Sequence, residues 1–260
     1  MLVSHICELF TDVGLSPATP LSLRQVFECV SFGLSESLFQ KGKLRVRPEI
    51  IKINAESPDP SLIAYCAEQI KQGQVLGMPT DTFYGLATDP FNLRAVDKVY
   101  EIKSRNRHKP LSLLIESVDQ AEHLADTLPD EFHILADKFW PGPLTIIVKA
   151  APRLPLKVTA NTGNIAIRIP AAEIPLQVIR AAGLPITATS ANLHGRRECT
   201  TAEGVRDQLH ERVPVIVDGG PSPRDTYTTI VNLADKGVKY RIMRVGAVPV
   251  HEIEDLLGDQ

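Results

Sequence analysis

Residues 74–105 read QVLGMPTDTFYGLATDPFNLRAVDKVYEIKSR. The run QVLGMPT is short, apolar and stopped by Pro79, the form of a buried strand rather than a helix. NLRAVDKVYEIKSR instead places its apolar residues at helical spacing. A buried strand that leads into a helix is the repeating unit of an α/β layer fold. Between the two, PTDTFYGLATDP sets Thr80 and Thr82 beside a turn. Beyond the helix, Lys103, Arg105, Arg107, His108 and Lys109 crowd together, and LSLLIE then returns at once to apolar sequence. A solvated surface loop has no need to be hemmed by apolar segments on both sides.

The alternation extends outward in both directions. EIIKIN reads as a strand, and PSLIAYCAEQIKQG as a helix with Gly73 suited to its C-terminal cap. Downstream, SVDQAEHLADTL and EFHILADKFW read as helices, the second stopped by Pro141-Gly142-Pro143. LTIIVKA, IAIRIP, PITATS, PVIVDGG and TTIVNLA complete the strands, separated by helical AEIPLQVIRAAG and AEGVRDQLHE. Seven or more short strands interleaved with helices predict an α/β fold with one extensive sheet. Residues 1–46 differ in pattern. SHICELFTDVGL and LSLRQVFECVSFGLSESLFQ have helical spacing punctuated by Pro17 and Pro20, so 1–46 is expected to be a helical extension and 47–255 the α/β domain.

Composition narrows the class. The 260 residues are 43% hydrophobic and carry a net charge of −3, which excludes a globally basic nucleic-acid binder but not a local basic groove. Cys7, Cys29, Cys66 and Cys199 form no CxxC pair and no zinc-ligand spacing, and free thiols suit a reducing compartment. No apolar run reaches the roughly 18 residues of a membrane span, and the N-terminus is a poor signal peptide. A soluble, cytoplasmic protein with no membrane partner is expected. No P-loop, dinucleotide fingerprint, HExxH or GxSxG occurs, so a nucleotide here would have to be held by side chains and unusual loops.

Several groups can carry chemistry. Helix-dipole complementarity accounts for one or two of the basic residues at 103–109. Alternate positions on an extended segment, such as Lys103 and Arg105, form a two-pronged clamp for phosphate or carboxylate; a solvated charge run is the competing account. PITATSANLHGRR carries Thr187, Thr189 and Ser190 to a strand end and then Asn192, either gripping a ligand or capping a helix. Arg168 lies inside apolar NIAIRIP and needs an anionic ligand in a cleft or a structural salt bridge. Thr226, Thr228 and Thr229 precede a strand, where threonine is also favoured for structural reasons.

Taken in order, PTDTFYGL, KSRNRHKPL, FWPGPLTIIV, VTANTGNIAIRIP, PITATSANLHG, VIVDGGP, TTIVNL and RIMRVG resemble the YrdC/Sua5 family of threonylcarbamoyl-AMP synthases over about residues 50–250. The family signature is matched by Lys103-Ser104-Arg105 and Ser190-Ala191-Asn192. The resemblance implies a strongly twisted mixed β-sheet flanked by helices, with a concave cleft and catalysis in residues 47–255. It implies an enzyme, a nucleotidyltransferase that makes threonylcarbamoyl-adenylate and pyrophosphate from L-threonine, bicarbonate or CO2, and ATP. A separate transferase complex would then modify adenosine 37 of tRNA, and tRNA itself is a further partner. Mg2+ is expected to arrive with ATP.

By position the resemblance assigns catalysis to Lys103, Arg105, Ser190 and Asn192, and L-threonine binding to Thr82, Arg168 and Thr228. ATP would meet Arg105, Lys109, Asn164, Ser190 and Arg244. Because clustered cations repel one another, removing Lys103 or Arg105 is expected to spare folding. Leu114 and Glu198 depart from the family pattern: some members carry a histidine at the first position, and small hydroxyl residues are common at the second. RIMRVG replaces a frequent Arg-Pro-Gly ending. Two alternatives are a carbamoyl-adenylate-forming carbamoyltransferase domain and a non-catalytic YrdC-like RNA-binding protein. The intact Lys-x-Arg and Ser-x-Asn pairs argue for catalysis.

Overall fold

A computed structural model describes residues 48–104 and 106–258. The extension expected at 1–46, Cys7, Cys29 and Arg105 lie outside the described residues. The strands are β1 (Glu49–Lys52), β2 (Leu76–Met78), β3 (Gly85–Ala87), β4 (Ser112–Leu114), β5 (Leu144–Lys149) and β6 (Asn164–Arg168). They continue as β7 (Ile186–Thr187), β8 (Thr189–Ser190), β9 (Val215–Asp218), β10 (Thr229–Asn232) and β11 (Arg241–Arg244). The helices are α1 (Pro60–Lys71), α2 (Leu93–Lys103), α3 (Val118–Leu124), α4 (Asp130–Phe139), α5 (Leu156–Thr159), α6 (Glu173–Ala182), α7 (Ala202–Leu209) and α8 (Val250–Leu257). No described helix is long and apolar enough to cross a membrane.

The strands form two mixed sheets where the sequence predicts one. Five run in the order β1-β9-β2-β3-β8, and six in the order β11-β10-β5-β6-β4-β7. The reason lies in PITATS. The segment breaks at Ala188, so β7 pairs antiparallel with β4 in one sheet and β8 pairs antiparallel with β3 in the other. Ala188 itself donates to Ser112 O at 2.8 Å. Thr187 locks the corner: its amide donates to Thr88 O at 3.0 Å, its hydroxyl donates to Leu86 O at 3.0 Å, and Thr88 N donates to that hydroxyl at 3.1 Å.

Both sheets feed one apolar core. Leu86 and Ile216 of the five-stranded sheet belong to the same buried cluster as Leu113, Ile146 and Ile167 of the six-stranded one. Val96 and Val99 of α2, Phe132 and Leu135 of α4 and Val205 of α7 close over it. The helix ends follow local chemistry. Asp59 caps Ser61 N and Leu62 N of α1, with Pro60 at the first helical position. Asn92 caps Arg94 N and Ala95 N of α2, both at 3.2 Å. Gly73, with φ of 77°, turns the chain out of α1.

Three elements escape the sequence reading. β3 is a three-residue strand inside the stretch read as a turn and loop. α5 is a single turn, and α8 lies beyond the last expected strand. Thr187 generates the test of this architecture. Thr187→Val preserves shape but strands the buried Thr88 amide and Leu86 carbonyl. A loss of about 1–3 kcal/mol in urea denaturation is expected, with the circular dichroism spectrum unchanged.

Candidate active site

α2 ends with a buried cation. Lys103 is its last residue, and Ser104 leaves the helix in the left-handed region at φ of 50°. Lys103 Nζ donates to Asn192 Oδ1 at 2.8 Å, to Asn192 O at 3.1 Å, to Ser190 Oγ at 3.4 Å and, closest, to Ser190 O. Ser190 Oγ in turn donates to Asn192 Oδ1 at 2.7 Å, and Asn192 Nδ2 donates to Arg196 O at 2.6 Å. His194 N donates back to Lys103 O at 3.1 Å, so the two signature segments are stitched by main chain as well.

This corrects two expectations. Lys103 stands on a helical turn, not on an extended segment, because the chain caps the helix at Ser104. It is also 3% exposed and held among oxygens of Ser190 and Asn192, so its removal is expected to cost stability, against the expectation drawn from charge repulsion alone. The solvated-run account fits Arg107 instead, which is exposed and pairs with Asp97 at 2.7 Å. Lys157 reaches the same carboxylate at 2.5 Å, and these two cations hold the Asp97 carboxyl below its usual range, Lys157 foremost.

The second group forms where β6 meets the turn after β2. Thr80 builds that turn: its hydroxyl donates to Phe83 O at 2.7 Å and accepts from Thr82 N at 3.2 Å. The turn delivers Asp81 and Thr82 to Arg168, at the carboxyl end of β6. Arg168 Nη2 is in short contact with Asp81 Oδ1, Nη1 donates to Thr82 Oγ1 at 3.2 Å, and Ala171 N donates to the same Asp81 oxygen at 3.2 Å. Both charged residues are buried. Burial pulls the Arg168 guanidinium below its usual pKa, and Asp81 opposes that shift. Among the described residues Arg168 Nε and Asp81 Oδ2 have no hydrogen-bond partner, although Arg224 lies 3.8 Å from the latter. Arg168 therefore keeps a buried donor to offer.

The third group is next along the sheet. Thr145 and Thr228 hydroxyls are 2.9 Å apart. Arg244, at the end of β11, donates from Nε to Thr228 O at 3.0 Å and from Nη2 to Thr228 Oγ1 at 2.8 Å. The Tyr227 ring lies 4.8 Å from the Arg244 Cζ and 5.1 Å from the Phe83 ring, beside Thr82. Burial lowers the Arg244 pKa.

Thr82, Arg168, Thr228 and Arg244 thus converge, and Lys103, Ser190 and Asn192 converge. β3 links the two sets, since Gly85 pairs with Ser190 and Ala191 N donates to Tyr84 O at 2.7 Å. Asn164 stands at the opposite end of β6 from Arg168, ~13 Å away along the strand. Lys109 is exposed on the loop that runs past α5, its carbonyl accepting from Tyr100 at 2.9 Å. Leu114 is buried beside Arg168 in the β4–β6 ladder. The sequence reading missed Asp81, Thr145 and Tyr227. Only Asp81 left a signal, as the acid in the turn opposite an arginine that required an anion.

Strand ends of two sheets gather buried cations, hydroxyls and an amide in an α/β fold, a donor set suited to anionic ligands. The chain belongs to the Sua5/YciO/YrdC family, whose model, described as "Telomere recombination", matches residues 68–246. Threonylcarbamoyl-AMP synthase of Bacillus subtilis is 38% identical over 77% of this chain, and that of Pyrococcus abyssi 34% identical over 76%. The chain spans 57% of the length of each of these relatives. The crystal structure of P. abyssi Sua5 complexed with L-threonine superposes with a TM-score of 0.77 at 33% identity, covering 80% of this chain and 61% of that one. E. coli YciO shares the fold at a TM-score of 0.71 and 22% identity, over 78% of this chain and 98% of its own.

The Asp81–Arg168 pair supplies the test of this geometry. Asp81→Asn leaves a buried guanidinium without its counter-charge, and a destabilisation of about 3–5 kcal/mol in urea unfolding is expected. A loss below about 1 kcal/mol would show that solvent, not Asp81, neutralises Arg168.

Proposed function

We propose that this chain is an L-threonylcarbamoyladenylate synthase. The observation that carries the reading is the meeting of Lys103 with Ser190 and Asn192, 87 and 89 residues away, inside one buried hydrogen-bonded cluster. The fold, the family and the named relatives support it. The threonine nitrogen attacks CO2 and loses a proton, giving a carbamate. A carbamate oxygen then attacks the α-phosphorus of ATP, and the bond to pyrophosphate breaks.

Each side chain has a part in this reading. Arg168 takes the threonine carboxylate through its unspent Nε donor, and Thr82 and Thr228 orient the amino acid. Lys103 and Arg105 stabilise negative charge on the carbamate and α-phosphate, while Ser190 and Asn192 hold Lys103 and the carbamate in place. Arg244 contacts phosphate, with Lys109 and Asn164 further along the nucleotide. Water exclusion protects the labile carbamate and strengthens each of these contacts. The donor set suits Mg2+ held by phosphate oxygens and water, because Asp81, the buried carboxylate, is spent on Arg168. Bound there, it neutralises polyphosphate charge. The product would pass to a tRNA-modifying transferase complex in the cytoplasm.

Pyrophosphate release that requires ATP, bicarbonate and L-threonine together, with the adenylate identified by mass spectrometry, tests the reading; release without threonine would overturn it. Lys103→Met, normalised to the folded fraction, should lose at least about tenfold in rate. A pocket that hydrogen-bonds the threonine hydroxyl discriminates more sharply than one that fits its methyl. Serine should therefore be the best alternative substrate and valine much poorer, and equal turnover of threonine and valine would refute hydroxyl recognition.

A further inference from the structure

Asp81 has a second cation beside it. One of its carboxylate oxygens meets Arg168 and Ala171 N. The other is buried, has no hydrogen-bond partner among the described residues, and lies 3.8 Å from Arg224 Nη1. At that separation Arg224 is ion-paired with Asp81 but not hydrogen-bonded to it, so its donors are not spent there. Arg224 belongs to residues 219–228, which join β9 to β10, and its side chain is half exposed. The connection is anchored against the turn that carries Asp81. A Cβ on Gly219 would come within 2.7 Å of Ile174 Cδ1 and 3.0 Å of Pro79 Cγ, so the main chain passes this close only as glycine. The Tyr84 hydroxyl donates to Gly220 O at 2.7 Å, and Ser222 N donates to Thr200 O at 2.8 Å. Ala247 N donates to Tyr227 O at 2.8 Å, so Arg224 sits on a short span between two main-chain anchors.

Charge decides what this group can bind. Arg168 and Asp81 alone sum to zero, and a neutral pair holds an anion only through the hydrogen bonds it can still donate. With Arg224, two guanidinium groups face one carboxylate, a surplus of one positive charge beside the unpartnered Arg168 Nε. We propose that Arg224 is a specificity-determining residue that gives this group its net positive charge and so selects ligands bearing a carboxylate. The inference rests on the reading that Arg168 takes the L-threonine carboxylate. Half exposure limits the effect. A unit charge roughly 7 Å from a bound carboxylate, in surroundings close to water, changes its binding about three- to sevenfold, and less in high salt.

Isothermal titration of the full chain with L-threonine tests this. The comparison ligand is L-threoninol, which keeps the amine and the hydroxyl but has no carboxylate. Arg224→Gln should weaken L-threonine binding about three- to sevenfold at low ionic strength, and the loss should shrink as salt rises. Arg224→Lys keeps the charge and should stay within about twofold of wild type, whereas Arg224→Glu should bind more weakly than Arg224→Gln. L-Threoninol should bind Arg224→Gln no more weakly than it binds wild type. Folded Arg224→Gln protein with unchanged affinity for L-threonine would overturn the proposal and leave the synthase reading standing. Equal losses for the two ligands, with Arg224→Lys failing like Arg224→Gln, would assign Arg224 a purely structural role through Asp81 and overturn it too. A wild-type chain that does not bind L-threonine would refute the amino-acid reading and this inference with it.

Discussion

The Arg168–Asp81 pair is the interaction on which the candidate site depends. Asp81 comes from the turn after β2 in the five-stranded sheet, and Arg168 ends β6 in the six-stranded one. Taking both charges out of water is expensive, and their attraction compensates only when the geometry is good and further hydrogen bonds are made. Here Ala171 N adds to Asp81 and Thr82 Oγ1 adds to Arg168. The pair fixes where the turn sits against the sheet, and with it the direction of Thr82. Among the described residues it also leaves Arg168 Nε without a partner, a cost consistent with recognition of an anion.

Lys103 plays the matching part in the second group of residues. A helix C-terminus favours a cation, yet that preference alone would leave the ammonium in water. The acceptors of Ser190 and Asn192 draw it inward and bind the end of α2 to the end of β8. One side chain thus joins two distant segments and supplies a buried charge between them. Lys103 is a packing element of the fold as well as a cation, so charge alone does not describe its place.

The third feature is the corner at Thr187 and Ala188. By sending one segment into two sheets, it places Ser190 in a different sheet from Arg168 while both remain beside the same turn. Aromatic contact between Phe83 and Tyr227 spans the same junction. The site is thus an edge where two sheets meet, and the side chains that fill it come from both.

The sequence by itself determined the order of most of the described strands and helices, because burial period and turn chemistry are local. It marked Lys103, Ser190, Asn192, Arg168 and Thr228 as residues whose placement needed explaining. It also required an anion or a cleft for Arg168, since a cation in an apolar strand is costly unpaired. Tertiary structure alone decided that PITATS divides between two sheets, because a two-residue strand on either side of Ala188 has no periodic signal. It alone buried Lys103, chose Asp81 as the counter-charge, and set Asn164 at the far end of β6 from Arg168. Each of these depends on groups far apart in the chain, where distance and burial are fixed by packing and no local pattern records them.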